Sequence, residues 1–295
     1  MSLPDPGLLL DLAATSVGVG GIYAVVAIGL NLQYGLMRIM NVAHGEFLMV
    51  GAYLAYALRT ATGMGPLWAL PLVAGALFLL GLALYALVFR RLVRTSPSQE
   101  ALEGRSLIAC FGLAFVIQNL VLLAFGADLR GYQYLARPLS LGAGVLITAN
   151  RVVVFGVVAL LTAGLVLILR ATLVGKAIRA MLQAPLGALL VGIDTRRLHP
   201  LCFGVGLALS GMAGVLVSMV YQLSPAMGQP YTITALIVIT LGGMGSMLGS
   251  LVGGVMLGFV ETFGTQLTSP STRMLFAYGT LVLVLLVRPR GVLAR

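Results

Sequence analysis

Apolar residues run through this chain in long stretches that are interrupted by glycines and by short clusters of polar side chains. The stretches Pro66 to Phe89, Leu107 to Phe125 and Val152 to Leu169 each supply the roughly 20 apolar residues that a helix needs to cross about 30 Å of hydrocarbon. They lack the alternation of apolar and polar residues that marks the strands of a membrane barrel. The pattern therefore predicts an all-α, polytopic bundle of transmembrane helices.

The apolar pattern predicts about nine segments, within a range of about 8–10 spans. They are Leu8–Leu30, Ala43–Leu58, Pro66–Phe89, Leu107–Phe125, Val152–Leu169, Leu201–Tyr221, Ile233–Met247, Leu251–Phe263 and Met274–Val287. Two of them, 43–58 and 251–263, are short and follow glycine-rich stretches, so either could be a broken or re-entrant helix. If all nine segments cross, the N-terminus lies outside; if one is re-entrant, it lies inside.

The composition agrees with a membrane protein. The 295 residues are 60% hydrophobic and only 9% charged, and the mean hydropathy is +1.06. The formal charge of +10 does not indicate nucleic-acid binding, because the arginines cluster at the ends of apolar spans. By the positive-inside rule, the basic junctions and the C-terminus face the cytoplasm, while 127–150 and 224–230 face outward. The junctions comprise Arg90, Arg91, Arg94 and Arg105, then Arg170, Lys176, Arg179, Arg196 and Arg197, then Arg288, Arg290 and Arg295.

A weak internal symmetry divides the single transmembrane domain, residues 1–295, into approximate halves 1–150 and 151–295. The first half contains IGLNLQYGLMRIMNVAHGEFLMVGAYLAYAL, and its counterpart in the second half is IVITLGGMGSMLGSLVGGVMLGFVETF. Each is an apolar run, a break punctuated by glycines, and a second helix. Paired interrupted helices point to a transport pathway between inverted repeats. The break containing Gly242, Gly243 and Gly245 is the expected flexible element of the second half.

One broken segment carries an unusual set of polar residues: Asn31, Gln33, Arg38, Asn41, His44 and Glu46. Buried polar groups in a membrane usually face a partner or a water-filled path. On a single helix Asn41 and His44 would share a face and Glu46 would point elsewhere, which argues against a catalytic or metal cluster. Two interpretations stay open: these residues shape a pathway, or Arg38 and Glu46 compensate each other and stabilise the kink. Glu261 lies alone near the end of Leu251–Phe263, where it either joins helices or contacts substrate.

The loop at 171–198 differs in kind from the spans. Lys176–Leu182 is predicted to form an amphipathic helix with Lys176 and Arg179 on one side, broken at Pro185 and Gly187. Such a helix either lies in the membrane interface or docks a soluble partner. The phosphate-binding pattern GxxxxGK[ST] is absent, so any ATP is handled by another chain.

The motifs resemble those of a known transporter family. GLNLQYGLMRIMNVAHGEFLMVGAYLA (Gly29–Ala55) is similar to the signature of permease subunits of branched-chain amino acid ABC importers. Three further stretches match in the same order: Leu241–Thr262, Gly175–Asp194 and Leu285–Leu293. The resemblance covers nearly the whole chain. One departure concerns the loop, where Leu186, Gly187 and Ala188 stand in place of the acidic residue and two alanines common in the family.

The resemblance implies a non-enzymatic permease subunit in the bacterial inner membrane, with no cofactor of its own. Its expected partners are a second homologous permease chain, two cytoplasmic ATPases that bind ATP, and a periplasmic or lipid-anchored binding protein. The loop would couple the ATPases to the pathway through Gly175, Lys176, Arg179, Gly192 and Asp194. Branched-chain or other hydrophobic amino acids are the expected substrates, with urea or short amides as the alternative. An ion-coupled secondary transporter, with His44 and Glu46 as a proton relay, is the alternative of a different class.

Overall fold

The protein is described here by a computed structural model that covers residues 6–140, 146–288 and 291. Within these residues the chain is helical, apart from one two-stranded antiparallel sheet and an isolated bridge between Arg130 and Leu223. The structure confirms the predicted all-helical polytopic bundle. Arg290, Arg295 and the end of the 285–293 motif lie outside the described residues.

The helices follow one another with mostly short connections, apart from the segment between Phe125 and Ala149 that carries the two strands. They are α1 (Pro6–Met37), α2 (His44–Thr62), α3 (Pro66–Leu84), α4 (Arg90–Thr95), α5 (Gln99–Phe125), α6 (Ala149–Ala171), α7 (Leu173–Gln183), α8 (Pro185–Leu190), α9 (Thr195–Ser218), α10 (Gly228–Gly242), α11 (Met247–Leu267) and α12 (Arg273–Val287). A π-helical turn (Tyr85–Phe89) joins α3 to α4, and a 3₁₀ turn (Pro270–Thr272) precedes α12. The strands β1 (Pro138–Ser140) and β2 (Leu146–Thr148) pair in the segment that is predicted to face outward.

Seven helical segments of the described chain are long and apolar enough to cross a membrane. They are Leu9–Met37, Pro66–Thr95, Gln99–Phe125, Ala149–Ala171, Thr195–Ser218, Met247–Leu267 and Pro270–Val287. The predicted segment at 251–263 is therefore not short, because α11 begins at Met247 and has 21 residues. The predicted segment Ile233–Met247 becomes α10, which has 15 residues and ends at Gly242. Helices α2 and α10 are not among the seven.

The helices form an inner and an outer group. In the most apolar 18-residue stretch of each helix, the buried share is 67% for α1 and 78% for α9. For α5 and for the stretch that ends with α12, it is only 17% and 6%. The outer helices expose leucine, valine and phenylalanine side chains that suit contact with lipid. The polar residues predicted as site candidates lie mainly on the inner helices, so the outer helices enclose the candidate site.

Glycines permit the close approach of the inner helices. Helices α1 and α11 run antiparallel, since Gly20 faces Gly258 while Ala24 faces Gly254. A Cβ at Gly20 would lie 2.7 Å from the Gly254 carbonyl oxygen, so only glycine allows this backbone contact. Inside a bilayer the hydrophobic effect does not drive helices together, because lipid tails are as apolar as the side chains. Close packing of this kind is therefore a main attraction between membrane helices.

An ion pair between a buried carboxylate and a partly exposed guanidinium fastens α12 to this inner group. Arg273 Nε lies 2.8 Å from Glu261 Oε2, and the Tyr23 hydroxyl donates to the same oxygen at 2.6 Å. The Arg273 guanidinium also contacts the Tyr23 hydroxyl. Glu261 is 3% exposed, so its carboxylate depends on these two partners for compensation. Glu261 thus joins three helices, as one of its two sequence interpretations anticipates.

The pair predicts a double-mutant cycle. Arg273→Met should lower the stability of the purified protein by up to about 3 kcal/mol, because it leaves the buried Glu261 carboxylate without its cation. Adding Glu261→Gln should recover part of the loss, since the neutral amide can still bond Tyr23. Thermal unfolding in detergent measures both effects.

The exposed pair between Arg197 and Asp194 provides a matched control. Its side chains are 91% and 50% exposed and lie 3.3 Å apart, so Arg197→Gln should change stability by less than about 1 kcal/mol. Equal losses in Arg197→Gln and Arg273→Met, or no recovery in the double variant, would contradict a stabilising buried pair.

Candidate functional site

The break after α1 is the segment 38–43, which has no helical structure. Arg38 adopts a left-handed conformation with φ of 55°, and its side chain is exposed. Its guanidinium donates to the Tyr34 hydroxyl at 3.3 Å and lies over the Tyr34 ring, 5.4 Å from the centroid. It makes no ion pair with Glu46 in the described structure. The suggested mutual compensation of Arg38 and Glu46 is therefore wrong.

The break returns the chain into the interior of the bundle. His44 Nε2 lies 3.1 Å from the carbonyl oxygen of Val26, which is eleven residues before the end of α1. At 1.5 Å per residue, that contact is about 16 Å from the α1 terminus along the helix axis. Helix α2 therefore begins deep in the bundle. The expectation that Asn41 and His44 share a helix face is also wrong, because Asn41 precedes the helix.

Two side-chain amides hold the break in place, and one of them bonds its backbone. Asn41 Nδ2 donates to Gln33 Oε1 at 2.9 Å, and Asn41 Oδ1 accepts from the Ala43 amide at 3.2 Å. Gln33 Nε2 in turn donates to the Phe203 carbonyl at 3.2 Å, which connects the break to α9. Non-helical backbone at membrane depth requires such internal partners. Gln33 and Asn41 thus have a structural role. From the sequence alone, this role could not be distinguished from lining a pathway.

Two helix N-termini meet at the end of the break. The Gly45 amide at the start of α2 donates to Thr232 Oγ1 in the second turn of α10 at 2.8 Å. Ser210 Oγ on α9 donates to the His44 carbonyl at 2.8 Å. Ser210 and Thr232 were missed as site residues, and the only signal in the sequence is that each is a hydroxyl within an apolar stretch. Three helices therefore converge on the beginning of α2.

The Glu46 carboxyl group lies between these N-termini. Its side chain packs against Gly228, where an added Cβ would clash with the carboxyl oxygens. Glu46 is 3% exposed, and its Oε2 has no hydrogen-bond partner among the described residues. His44 Nδ1 is likewise buried without a partner there. The positive ends of two helix dipoles favour an anionic group at this place, which compensates part of the desolvation cost.

The second break, 243–246 between α10 and α11, is held by Asn31. Asn31 Oδ1 accepts from the Gly245 amide at 2.6 Å, and Nδ2 donates to the Ser246 carbonyl at 2.9 Å and to Ser250 Oγ at 2.8 Å. Gly243 and Gly245 have φ of 95° and 87°, which side chains with a Cβ rarely adopt. Gly242 packs against Gly249. A side chain of the first half thus satisfies the break of the second half.

The predicted candidates fall into three clusters. Asn31 and the second break form one, Asn41, His44 and Glu46 form another, and Glu261 lies in the ion pair with Arg273. The Tyr23 ring, whose hydroxyl bonds Glu261, lies 6.5 Å from the ring of Tyr231, the residue before Thr232 on α10. The partners Tyr23 and Arg273 could not be assigned from sequence, because they lie 238 and 12 residues from Glu261. No group of three metal-ligating side chains occurs among the residues described.

The loop 171–198 packs against the end of α1, next to both breaks. It forms α7 and α8; the chain breaks before Pro185 as predicted, whereas Gly187 lies within α8 and does not break it. A Cβ at Gly35 would lie 2.6 Å from Leu182 Cδ2 and 3.4 Å from Gly245 Cα, so the loop and the two breaks meet at the end of α1. Lys176 and Arg179 are exposed on the outer side of α7, as the amphipathic pattern predicts.

Asp194 and Gly192 end the loop. Asp194 Oδ1 accepts from the Arg196 amide at 2.9 Å and so caps α9. Gly192 has φ of 84°, and Gly175 is buried against the last turn of α6.

Comparisons with known proteins agree with this architecture. A family model described as "Branched-chain amino acid transport system / permease component" matches residues 12–285. The permease protein BraD of the high-affinity branched-chain amino acid transport system of Pseudomonas aeruginosa is 30% identical, covering 99% of this chain and 98% of BraD.

Two relatives from Escherichia coli carry the corresponding name, permease protein of the high-affinity branched-chain amino acid transport system. LivH is 31% identical over 95% of this chain and 93% of its own length. LivM is 27% identical over 92% of this chain and 68% of its own length. With a matching family model over nearly its whole length and relatives of the same extent, this multi-pass membrane protein belongs to the family of permease components of branched-chain amino acid transport systems.

Proposed function

We propose that this chain forms the translocation pathway of an ATP-driven importer for branched-chain or other hydrophobic amino acids, together with a second homologous permease chain. The observation that carries the proposal is the nearly full-length similarity to BraD and LivH. The similarity to both LivH and LivM supports the pairing of two permease chains. Neither the alternative for urea and short amides nor the ion-coupled secondary transporter is favoured by these relatives.

The proposed complex contains two cytoplasmic ATPases and an external binding protein. The chain lacks the phosphate-binding pattern of ATPases, so ATP binding and hydrolysis are assigned to the partner subunits. The excess of arginine at one end of the spans supports an orientation in the bacterial inner membrane in which the C-terminus faces the cytoplasm. The binding protein would then meet the face that carries β1 and β2.

The surface of α7 and α8 is suited to docking an ATPase. Helix α7 buries Ile178 and Met181 and turns Lys176 and Arg179 outward. Helix α8 exposes apolar side chains, with Leu186 and Leu190 at 79% and 89% exposure. Exposed apolar residues beside basic ones are typical of a protein interface. This arrangement supports docking over a helix that merely lies in the membrane interface.

The position of the loop suggests how movement would reach the pathway. Leu182 packs against Gly35, and Gly35 packs against Gly245, so a displacement of α7 bears on both breaks at once. The breaks lack regular helical hydrogen bonds and can change backbone angles at lower cost than the helices. In the proposed alternating-access cycle, ATPase closure moves α7 and shifts the starts of α2 and α10 relative to each other. Asn31, Asn41, His44 and Glu46 shape the pathway there, while Arg38 remains at its surface.

Uptake by the complete importer tests the proposed function. Proteoliposomes that contain both permease chains and the ATPases should accumulate labelled leucine, isoleucine and valine when ATP is inside and binding protein outside. Labelled urea and acetamide should not accumulate. Uptake by the purified chain alone under an ion gradient, or preference for urea or acetamide, would overturn the proposal.

The same assay tests Glu46. Glu46→Gln should lower leucine uptake by up to roughly thirtyfold, since about 2 kcal/mol is the largest effect of a helix N-terminus on a partly buried charge. The substitution conserves shape, so the complex should still assemble. Glu100→Gln, an exposed residue in the first turn of α5, is the matched control and should transport normally. Wild-type uptake by Glu46→Gln would leave this carboxyl group a packing role only.

Charge reversal tests the docking surface. Lys176→Glu combined with Arg179→Glu should abolish the stimulation of ATP hydrolysis by loaded binding protein while the permease chains remain inserted. The reason is that the charges at the centre of the proposed docking surface would then be reversed. Arg91→Glu combined with Arg288→Glu makes the same charge change at exposed positions outside the loop and should retain stimulation. Normal coupling in the loop variant, or equal loss in both variants, would contradict the assignment.

A further inference from the structure

A cleft of about 350 Å³ opens where α3 and α9 separate, at the end of the bundle that carries the basic residues. One wall is the π-helical turn and α4, and the other is the first two turns of α9. The residues that matter for its chemistry are Tyr85, Arg90, Arg94, Arg196 and His199. None of the three candidate clusters or the docking surface includes this cleft.

The packing of α3 and α9 explains why the cleft lies here. Gly81 and Gly204 hold the helices together, since a Cβ at Gly81 would be 2.7 Å from Gly204 Cα. Beyond that contact, large side chains occupy the interface, and the Phe89 and Phe203 rings lie 4.7 Å apart. The π-helical turn interrupts the regular surface of one wall, an irregularity that is frequent at binding sites. The helices therefore diverge and leave a space between them.

The cleft concentrates positive charge that the protein does not neutralise. Arg90, Arg94 and Arg196 are all exposed, and none makes an ion pair or a side-chain hydrogen bond within the described structure. The neighbouring Arg197, by contrast, is paired with Asp194. Three free guanidinium groups around one cavity favour an anion, and guanidinium forks suit phosphate oxygens.

Neutral donors complete the lining. The Tyr85 hydroxyl lies 3.4 Å from His199 Nδ1, and His199 Nε2 is buried without a partner among the described residues. A buried polar atom that borders a cavity and lacks a partner is a candidate ligand contact. When the Tyr85 hydroxyl donates to Nδ1, the single proton of the neutral imidazole lies on Nε2, and Nε2 can donate to an anionic oxygen.

The depth of the cleft corresponds to the headgroup region of a membrane. The helical stretch Pro66–Thr95 has 30 residues and is about 45 Å long, whereas the hydrocarbon core is about 30 Å thick. Its last third, which carries Arg90 and Arg94, therefore extends beyond the hydrocarbon. The exposed face of the same stretch is apolar up to this level, with Leu79 and Leu87 at 65% and 77% exposure. An acyl chain along α3 and a charged group in the cleft fit these two surfaces.

We propose that this cleft binds the phosphate of an anionic phospholipid headgroup, with the acyl chains lying along the apolar face of α3. Basic pockets between membrane helices at the headgroup level are suited to such lipids. A free anion would present the same phosphate oxygens, but the continuous apolar face leading into the cleft favours the lipid. The site would attach the basic end of α3 and α9 to the bilayer.

Native mass spectrometry of the purified full-length chain tests the site with phosphatidylglycerol as the probe and phosphatidylcholine as the neutral comparison. The wild type should retain phosphatidylglycerol preferentially. The triple variant Arg90→Gln, Arg94→Gln, Arg196→Gln should bind phosphatidylglycerol more than about tenfold more weakly. The reason is that one arginine near an anionic headgroup contributes about a fivefold gain in affinity. Replacing the same three residues with lysine should restore much of it.

A second triple variant, Arg91→Gln, Arg170→Gln, Arg288→Gln, is the matched control. It removes the same charge from exposed positions outside the cleft lining, with Arg91 on the same helical stretch and Arg170 and Arg288 at the ends of other spans, and should retain the lipid. Equal loss in the two glutamine variants would show attraction to the whole basic face and would overturn a specific site. Undiminished binding by the cleft variant would overturn it as well. Occupation of the cleft by inorganic phosphate, without enrichment of phosphatidylglycerol, would overturn the lipid as its source.

Discussion

The structure depends on the requirement that every backbone polar group inside a membrane finds a partner within the protein. An unbroken helix meets it by itself, but the segment 38–43 and the break at 243–246 do not. Asn41, which Gln33 holds in place, bonds the Ala43 amide at the first break, and Asn31 bonds the backbone at the second. Costly polar residues are therefore placed where the helices stop. Their presence makes it possible for α2 to begin deep inside the bundle.

Close helix packing is the condition for these bonds. Asn31 can reach Gly245 and Ser250 only because α1 and α11 touch along glycines, and Ser210 can reach His44 because Gly211 and Gly51 bring α9 against α2. Larger residues at these crossings would separate the helices by more than a hydrogen bond can span. The glycines and the polar groups thus depend on each other. The glycines bring the helices close enough for the polar side chains to form hydrogen bonds between them.

Movement and stability are distributed differently over the molecule. Glu261, Tyr23 and Arg273 join three helices through a nearly fully compensated charge, while Glu46 retains an unbonded oxygen between two helix N-termini. A group without a partner gains from rearrangement, whereas a satisfied ion pair resists it. The contact of α7 with the end of α1 lies beside the breaks and not beside the ion pair. A transport cycle that moves α2 and α10 would use the less constrained of these two regions.

Much of this protein was predictable from its sequence. Apolar run lengths predicted an all-helical membrane protein, the glycine-rich motifs pointed to the family, and the period of Lys176–Leu182 predicted the exposed side of α7. Local patterns carry this information because hydrogen bonding within a helix and burial in lipid depend on neighbouring residues. The same patterns misplaced the ends of α10 and α11, since backbone breaks depend on partners elsewhere in the chain.

Only the tertiary structure decided which polar residues belong together. Pairing Glu46 with Arg38 was reasonable on sequence distance, yet Arg38 turns to Tyr34 at the surface and Glu46 faces Gly228. Glu261 forms its ion pair with Arg273, and the Gly245 amide in the second break donates to Asn31, 214 residues away. The sequence by itself determined which segments enter the membrane and how polar their breaks are. Helix packing then determined which charges are compensated, because that depends on contacts between distant segments.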